Sequence, residues 1–363
     1  MSSLGAVGRI DWRIVGLVLA LSAVSVLNLH STSTATGTTV YLSQLYWLLL
    51  GIGVMAVVAA VEHRNLQRFA PIFWVLVIVL LTLVLIVGKE VNGSRRWLDL
   101  GFVGFQPSEL AKLAVILNLA AWFQKVPRPG GYTLRDLMPV GALLGVPMFL
   151  ILQEPDLGHT LMLFFIGCTM LAYERFERRA LVIAIAGGLV AAPFVWSFVL
   201  RPYQKDRILT LLDSEADTLG AGWHARQSRV AVGSGSLLGK GHGEGTQVAG
   251  GFLPENHTDF VFAHLAEEQG FVGASLVLGL YLFLILGALQ AASAARDKFG
   301  GHVAVGVAAL IFWHVVMNMG MVLNVLPVTG VTLPLLSYGG TSVLTVMAAM
   351  GLLLNINLRR TVF

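Results

Sequence analysis

Apolar stretches of about bilayer length recur along this chain from end to end, separated by short polar connections. A helix needs roughly 20 predominantly apolar residues to cross the hydrocarbon core. Stretches near that length lie at approximately 14–30, 41–61, 69–88, 106–124, 137–152, 158–173, 180–200, 258–290, 303–325 and 339–357. The pattern predicts an all-α integral membrane protein of about ten transmembrane helices, one polytopic domain over residues 1–363. The fifth and sixth stretches are short and joined by Gln153-Glu154-Pro155-Asp156-Leu157-Gly158, which predicts helices broken or tilted near one surface. The eighth is longer than a simple span and is expected to project outward. Between the last two, Pro327, Pro334, Gly330, Gly339 and Gly340 in apolar surroundings predict unwound or re-entrant backbone, shielded by protein or facing a water-filled cavity.

Composition agrees: 56% of the 363 residues are hydrophobic and 12% charged, against roughly 25% charged in soluble domains. No convincing small-residue cleavage site follows the first stretch, so it is expected to be retained. Cys168 is the single cysteine, so no intramolecular disulfide forms. Fourteen Lys and Arg fall in the termini and loops of one side, among them Arg64, Arg128, Arg296 and Arg359. The short loops of the other side hold Lys89, Arg95 and Arg96. The positive-inside rule then places both termini in the cytoplasm. The long loop at about 201–257, between helices 7 and 8, faces outward. Too poor in apolar residues to be a separate domain, it is expected to form a lid or shelf with short amphipathic helices around 206–212 and 225–232.

Four polar constellations interrupt the apolar pattern. At one end of the 258–290 stretch stands Asp259, near the bilayer surface, where a helix N-terminus favours its ionised form. Further along that stretch lie His264, Glu267 and Glu268; eight residues put Glu267 on nearly the same face as Asp259, about 12 Å deeper. This column suits burial against polar partners or a proton relay. Glu109 and Lys112, spaced i,i+3, share one helix face. They form an ion pair hiding two charges from lipid or, with Arg96, a site for a phosphate or diphosphate. Glu154, Asp156 and His159 lie within six residues, yet their spacing matches no standard metal site; a satisfied polar turn is the simpler account. A P-loop, a dinucleotide fingerprint and a His-Glu-x-x-His motif are all absent. Nucleotide-driven transport and zinc proteolysis therefore have no support.

Taken together, the motifs resemble the SEDS family (shape, elongation, division and sporulation) of bacterial cell-wall proteins. The resemblance rests on Arg95-Arg96-Trp97, Gln106-Pro107-Ser108-Glu109-Leu110-Ala111-Lys112, Glu154-Pro155-Asp156-Leu157-Gly158, Gly233-Ser234-Gly235, Gly239-Lys240-Gly241, Leu253-Pro254-Glu255, His257-Thr258-Asp259-Phe260 and Leu333-Pro334-Leu335-Leu336-Ser337-Tyr338-Gly339-Gly340. It covers essentially the whole chain. Asn318-Met319-Gly320-Met321 and Pro327-Val328-Thr329-Gly330 resemble the elongation branch. His224 departs from the family pattern, which usually has Gln there.

The resemblance implies a peptidoglycan glycosyltransferase of the bacterial cytoplasmic membrane. It would polymerise lipid II at the outer face, beside a class B penicillin-binding transpeptidase; no nucleic-acid partner is expected. An α-linked sugar diphosphate becoming a β-1,4 glycan implies one inverting displacement, with Asp259 as general base. Arg96 and Lys112 would stabilise the leaving diphosphate, with or without a divalent cation such as Mg or Mn. Glu109 would orient Lys112, Asp156 would hold a sugar or a cation, and Lys240 would join the substrate contacts. The alternatives are a lipid II flippase, using the Asp259, Glu267 and Glu268 column, and a non-catalytic scaffold for the transpeptidase.

Overall fold

The computed structural model describes residues 10–91, 94–99, 101, 104–128, 130–212, 221–253 and 255–359. Arg9 and Arg360 of the fourteen basic residues, Pro254 of the Leu253-Pro254-Glu255 motif and part of the loop at about 201–257 lie outside the described residues.

The chain folds into a helical bundle. In order its elements are α1 (Trp12–Thr36), α2 (Val40–Ala60), α3 (His63–Val87), β1 (Lys89–Val91), β2 (Ser94–Asp99), β3 (Gly104–Phe105), α4 (Pro107–Lys125), α5 (Leu134–Gln153), α6 (Leu157–Ala172) and α7 (Arg178–Phe194). Next come a π-helical turn (Val195–Val199), α8 (Pro202–Leu212), α9 (Ala221–Ser234), α10 (Thr246–Ala249), α11 (Val261–Ser293), α12 (Lys298–Val322) and α13 (Gly340–Leu358). Seven helices among the described residues are long and apolar enough to cross a membrane: α1, α2, α3, α5, α11, α12 and α13. The two amphipathic segments expected in the outer loop form α8 and α9.

Helix starts follow local chemistry. Asp156 and Asp297 cap α6 and α12 by accepting from the backbone N–H of His159 and Gly300. Thr133 and Asp136 close a capping box on α5. Pro107 occupies the first turn of α4, where its missing N–H costs nothing. Burial then sorts the helices. In α12 and α13, 72% and 83% of the apolar window is buried, against 22% in α2 and α3, which turn broad faces outward. In α4 the buried set includes Ser108, Glu109, Lys112 and Asn118, so a helix with charges in it sits inside the bundle.

Three features bear on the expectation. The fold is not purely helical: β1, β2 and β3 form a small antiparallel sheet, with Lys89 opposite Trp97 and Leu98 opposite Phe105. Its period-two alternation puts Arg95 on the exposed face and Arg96 on the inward one. The long helix α11 is broken at Gly270 (φ 64°, ψ −166°), in a backbone region essentially reserved for glycine. The interrupted ladder is completed by the outer loop, because Lys240 and Gly241 N–H donate to Glu267 and Glu268 C=O. In return, Phe271 and Val272 N–H donate to Ser236 and Leu237 C=O. A side chain at Gly239 or Gly270 would collide with the facing backbone, so the approach needs both glycines. Finally, Glu267 and Glu268 are buried against polar partners, the first of the two readings of that column. Glu267 accepts from Lys240 Nζ at 2.6 Å and from Thr246 and Gln247 N–H, while Glu268 accepts from Ser31 Oγ and Gly243 N–H.

The predicted unwinding between the last two helices is present. Segment 324–339 carries no helix, and Val331, Leu333, Leu335 and Leu336 are buried. Its polar backbone is satisfied by side chains from other elements. Ser25 donates to Leu336 C=O, Gln44 to Ser337 C=O, Tyr281 to Pro334 C=O and Asn318 to Val331 C=O. This is how irregular backbone is tolerated at such a depth.

The basic loops gather at one end of the bundle. His63 meets Asp297 at 3.1 Å, Arg359 donates to Val61 C=O, and Lys298 pairs with Glu174.

Candidate active site

At the opposite end, the inward face of β2, the α5–α6 linker, the residues before α11 and the unwound segment converge. Asp259 lies two residues before α11. Its backbone carbonyl accepts from Asn318 Nδ2 at 2.9 Å, and the same amide donates to Val331 C=O at 2.8 Å. One Asn on α12 therefore clamps the turn bearing Asp259 to the unwound segment. The carboxylate points at Gly330 (φ 73°), where an added Cβ would lie 3.3 Å from Oδ2. Asp259 is partly exposed, yet burial pushes its carboxyl up to about 6, helped by the Glu255 carboxylate and opposed by Arg207 and Arg96. It is thus mostly ionised at neutral pH and a much better base than a free aspartate.

Arg96 is held between this carboxylate and the α5–α6 linker. It donates to Glu154 C=O at 3.4 Å and to Pro155 C=O, and its Nε stands 3.8 Å from Asp156 Oδ2. Burial works against the Asp156 charge, but His159 and Arg96 outweigh it and hold the carboxyl well below the usual range. Glu154 is different: burial, then the neighbouring Asp156 charge, pushes it up to about 9, so it is a neutral acid at pH 7.

From Asp156 a chain of buried polar side chains runs into the bundle. His159 Nδ1 lies 3.0 Å from Asp156 Oδ2 and its Nε2 2.9 Å from Glu109 Oε1, so both ring nitrogens face carboxylates. Glu109 pairs with Lys112 at 2.8 Å. Lys112 Nζ donates to His314 Nε2 at 2.9 Å, which leaves His314 Nδ1 to donate to Thr332 C=O at 2.8 Å. The chain ties α6, α4 and α12 to the unwound segment beside Asp259.

The expected site residues therefore separate. Asp259, Arg96 and Asp156 come together. Glu109 and Lys112 are fully wrapped, 2% and 0% exposed, so in this arrangement neither reaches a ligand beside Asp259. Lys240 belongs to the node with Glu267 and Thr246 on the outer loop. Among the described residues no three His, Cys, Asp or Glu side chains are arranged to hold a metal. Asp156 is also already engaged by His159, Arg96 and Gln106. The described side chains thus offer no ready cage for Mg or Mn.

Sequence reasoning missed Arg207, His314 and Asn318 as members of the site. Arg207, on amphipathic α8, donates to Val328 C=O at 2.9 Å and acts on the Asp259 charge from the loop side. The only available signals were a cation within the loop helix and two polar residues, one turn apart, in an apolar span.

The molecule is thus a polytopic helical membrane protein with a cluster of charged side chains at the end opposite its basic loops. It belongs to the FtsW/RodA/SpoVE family, which is the SEDS family: the family model described as "Cell cycle protein" matches residues 7–361. The peptidoglycan glycosyltransferase MrdB of Escherichia coli is 41% identical over 313 residues, 86% of this chain and 84% of that protein. The peptidoglycan glycosyltransferase RodA of Treponema pallidum is 32% identical, covering 98% of this chain and 99% of its own length. One solved structure, concerned with the coordination of polymerization and crosslinking by a peptidoglycan synthase complex, superimposes with a TM-score of 0.83 at 34% identity. It covers 97% of this chain and 98% of that one. The rod shape determining protein RodA of Thermus thermophilus gives 0.72 at 32% identity, covering 97% of each chain.

Proposed function

We infer that this protein is a peptidoglycan glycosyltransferase that polymerises lipid II at the outer face of the bacterial cytoplasmic membrane during cell elongation. The single observation that carries the mechanism is the partly buried Asp259 carboxylate, on a turn clamped through its backbone carbonyl, with Arg96 and Arg207 acting on its charge. Family membership and the activity named for the relatives support the chemistry. The distribution of Lys and Arg supports the orientation, with both termini cytoplasmic, about ten spans and the charged cluster outward.

The reaction is an in-line displacement at the anomeric carbon of the donor sugar. As the acceptor 4-hydroxyl oxygen bonds to that carbon, its proton passes to Asp259, and the carbon–oxygen bond to the diphosphate breaks with both electrons leaving on the diphosphate. The leaving group is already an anion, so it needs charge rather than a proton. Arg96 and Arg207 supply that charge, and Arg suits bidentate contact with phosphate. Asp156 orients Arg96. The Glu109, Lys112, His159 and His314 chain holds the segments around Asp259 in register and acts through Arg96 and the unwound segment rather than on substrate. Lys240 binds substrate only after release from Glu267, or else serves the loop alone. The partner is a class B penicillin-binding transpeptidase, in keeping with the polymerization and crosslinking assembly that this chain resembles.

A flippase reading rested on the Asp259, Glu267 and Glu268 column and on the broken helices, and Glu267 and Glu268 are engaged by the outer loop. The test is glycan polymerisation from purified lipid II, with and without the transpeptidase. Long glycan from the wild type and none from Asp259→Asn is the expected result. No polymer under any condition, with partner and divalent ions supplied, returns the choice to transport or scaffolding.

A further inference from the structure

At the basic end of the bundle, far from the charged cluster, a cavity of about 370 Å³ opens where the α2–α3 turn, the α11–α12 turn and the end of α13 meet. Its walls include Arg64, Arg296 and Arg359 from those three places, with Glu62, His63 and Asp297. Arg359 is fixed by donating to Asn355 and Val61 C=O. Asp297 is engaged by His63 at 3.1 Å and by Gly300 N–H at 2.8 Å. Arg64 and Arg296 are exposed and make no hydrogen bond or ion pair among the described residues. Guanidiniums from three elements thus line one cavity, and two of them keep their donors free.

A second cavity adjoins the first across the same turn. It is an apolar groove of about 350 Å³, and its walls include Val61, Leu66, Phe69, Phe73, Leu110 and Leu352. Asn65 and Leu352 in its walls are neighbours of Arg64 and, one turn along α13, of Ile356 in the first cavity, and the groove is lined further by α3 and α4. A pocket with three arginines and two carboxylates, next to an apolar groove, matches a molecule that carries a phosphate at one end and a hydrocarbon chain at the other.

We propose that these paired cavities bind an anionic glycerophospholipid of the cytoplasmic leaflet, its phosphate on Arg64 and Arg296 and one acyl chain in the groove. The substrate diphosphate is excluded as the occupant. The 25-residue α3 separates Arg64 from the sheet bearing Arg96, and at 1.5 Å per residue that is about 37 Å. One diphosphate cannot serve both ends. A soluble phosphate would use the arginines but leave the groove without purpose. The leaflet follows from the positive-inside distribution already used for orientation, and acidic lipids of that leaflet attract basic side chains.

The test compares purified protein in nanodiscs of phosphatidylcholine alone and with phosphatidylglycerol of the same acyl chains. Retained lipid is counted by native mass spectrometry and stability is read from thermal melting. Inorganic phosphate and glycerol phosphate are added separately to the phosphatidylcholine sample. The wild type is expected to retain phosphatidylglycerol selectively and to melt higher with it. The pair Arg64→Gln and Arg296→Gln should lose about thirtyfold of that preference, as expected for two guanidiniums at a membrane surface. Its melting in phosphatidylcholine and its glycan polymerisation there should be nearly unchanged, because neither side chain makes a hydrogen bond or ion pair among the described residues and Arg296 is only the last of several influences on the Asp297 charge. If that pair melts lower even in phosphatidylcholine, Arg64→Lys with Arg296→Lys decides, and it should restore the preference. Equal retention of both lipids, or a preference untouched by the Gln pair, would overturn the proposal. So would protection by phosphate or glycerol phosphate alone equal to that of phosphatidylglycerol.

Discussion

Replacing Asp259 by Asn keeps the size of the side chain and removes only its ability to accept a proton at neutral pH. Because the Asn318 clamp grips the backbone carbonyl of residue 259, the substitution leaves that clamp intact. Loss of a positioned general base lowers rates by roughly 10²–10⁴-fold, or about 3–5 kcal/mol of transition-state stabilisation. The environment adds a sharper signature. Burial pushes this carboxyl from 3.8 up to about 6, so the acid limb of kcat/KM for polymerisation should inflect near pH 6. Stability should move the opposite way. A folded-state value raised above the unfolded one contributes stability that is full below about pH 4 and is lost as pH rises through about 6. At pH 7 the ionised carboxylate therefore costs the fold at most about 3 kcal/mol, at 1.36 kcal/mol per unit. Asn does not carry that cost, so the variant should melt no lower than the wild type. The assay is glycan polymerisation from lipid II across pH 4.5–8.5, beside thermal melting at pH 7. Near-normal activity of the Asn variant, an inflection near pH 4, or a variant that melts several degrees lower would each refute the assignment.

Other substitutions separate catalysis from support. Glu154→Gln should be nearly silent in polymerisation between pH 6 and 8, because burial and Asp156 already keep this acid protonated with a value of about 9. A large loss there would mean that the residue works as an anion. Lys112→Met leaves Glu109 short of its cation and His314 Nε2 without a donor inside the bundle; about 3–5 kcal/mol is the expected cost. Adding Glu109→Gln should recover part of the melting temperature, and an equal or greater loss would show that the two do not act as a pair. Gly270→Ala should cost about 1–3 kcal/mol from backbone conformation alone, plus the collision with Gly239. Limited proteolysis of the 235–251 loop should then accelerate, and unchanged cleavage would deny the loop its anchor. Arg207→Lys should raise KM for lipid II more than it lowers melting, because Lys gives the charge without the fork; an unchanged KM would remove Arg207 from the site.

Much of the fold could be read before any coordinates. Long apolar stretches have one outcome in a bilayer, because only a helix satisfies its own backbone there; the helices fall where those stretches lie. Pro327, Pro334 and their neighbouring glycines announced the unwound segment, since neither residue type suits a helix interior. The charges of α4 drew attention because lipid would penalise them, and they are buried inside the bundle. Their disposition was harder to foresee. The i,i+3 spacing of Glu109 and Lys112 told of a shared face, but not that the face is closed over by His159 and His314.

What the sequence determined by itself is what depends on local transfer and backbone chemistry: where long apolar helices form, the helix start at Pro107, the unwound segment around Pro327 and Pro334, and the candidacy of Asp259. Tertiary structure alone decided partnership. It set Arg96 inward through the alternation of a three-strand sheet and brought Arg207 from the outer loop to the Asp259 carboxylate. It also diverted Glu267 and Glu268 to the loop by breaking α11 at Gly270. The reason is physical. A charge or a freed carbonyl fixes only that some partner must be found, and any of several distant segments can meet that demand. Which one does so depends on how the helices pack, and no short stretch of residues encodes that.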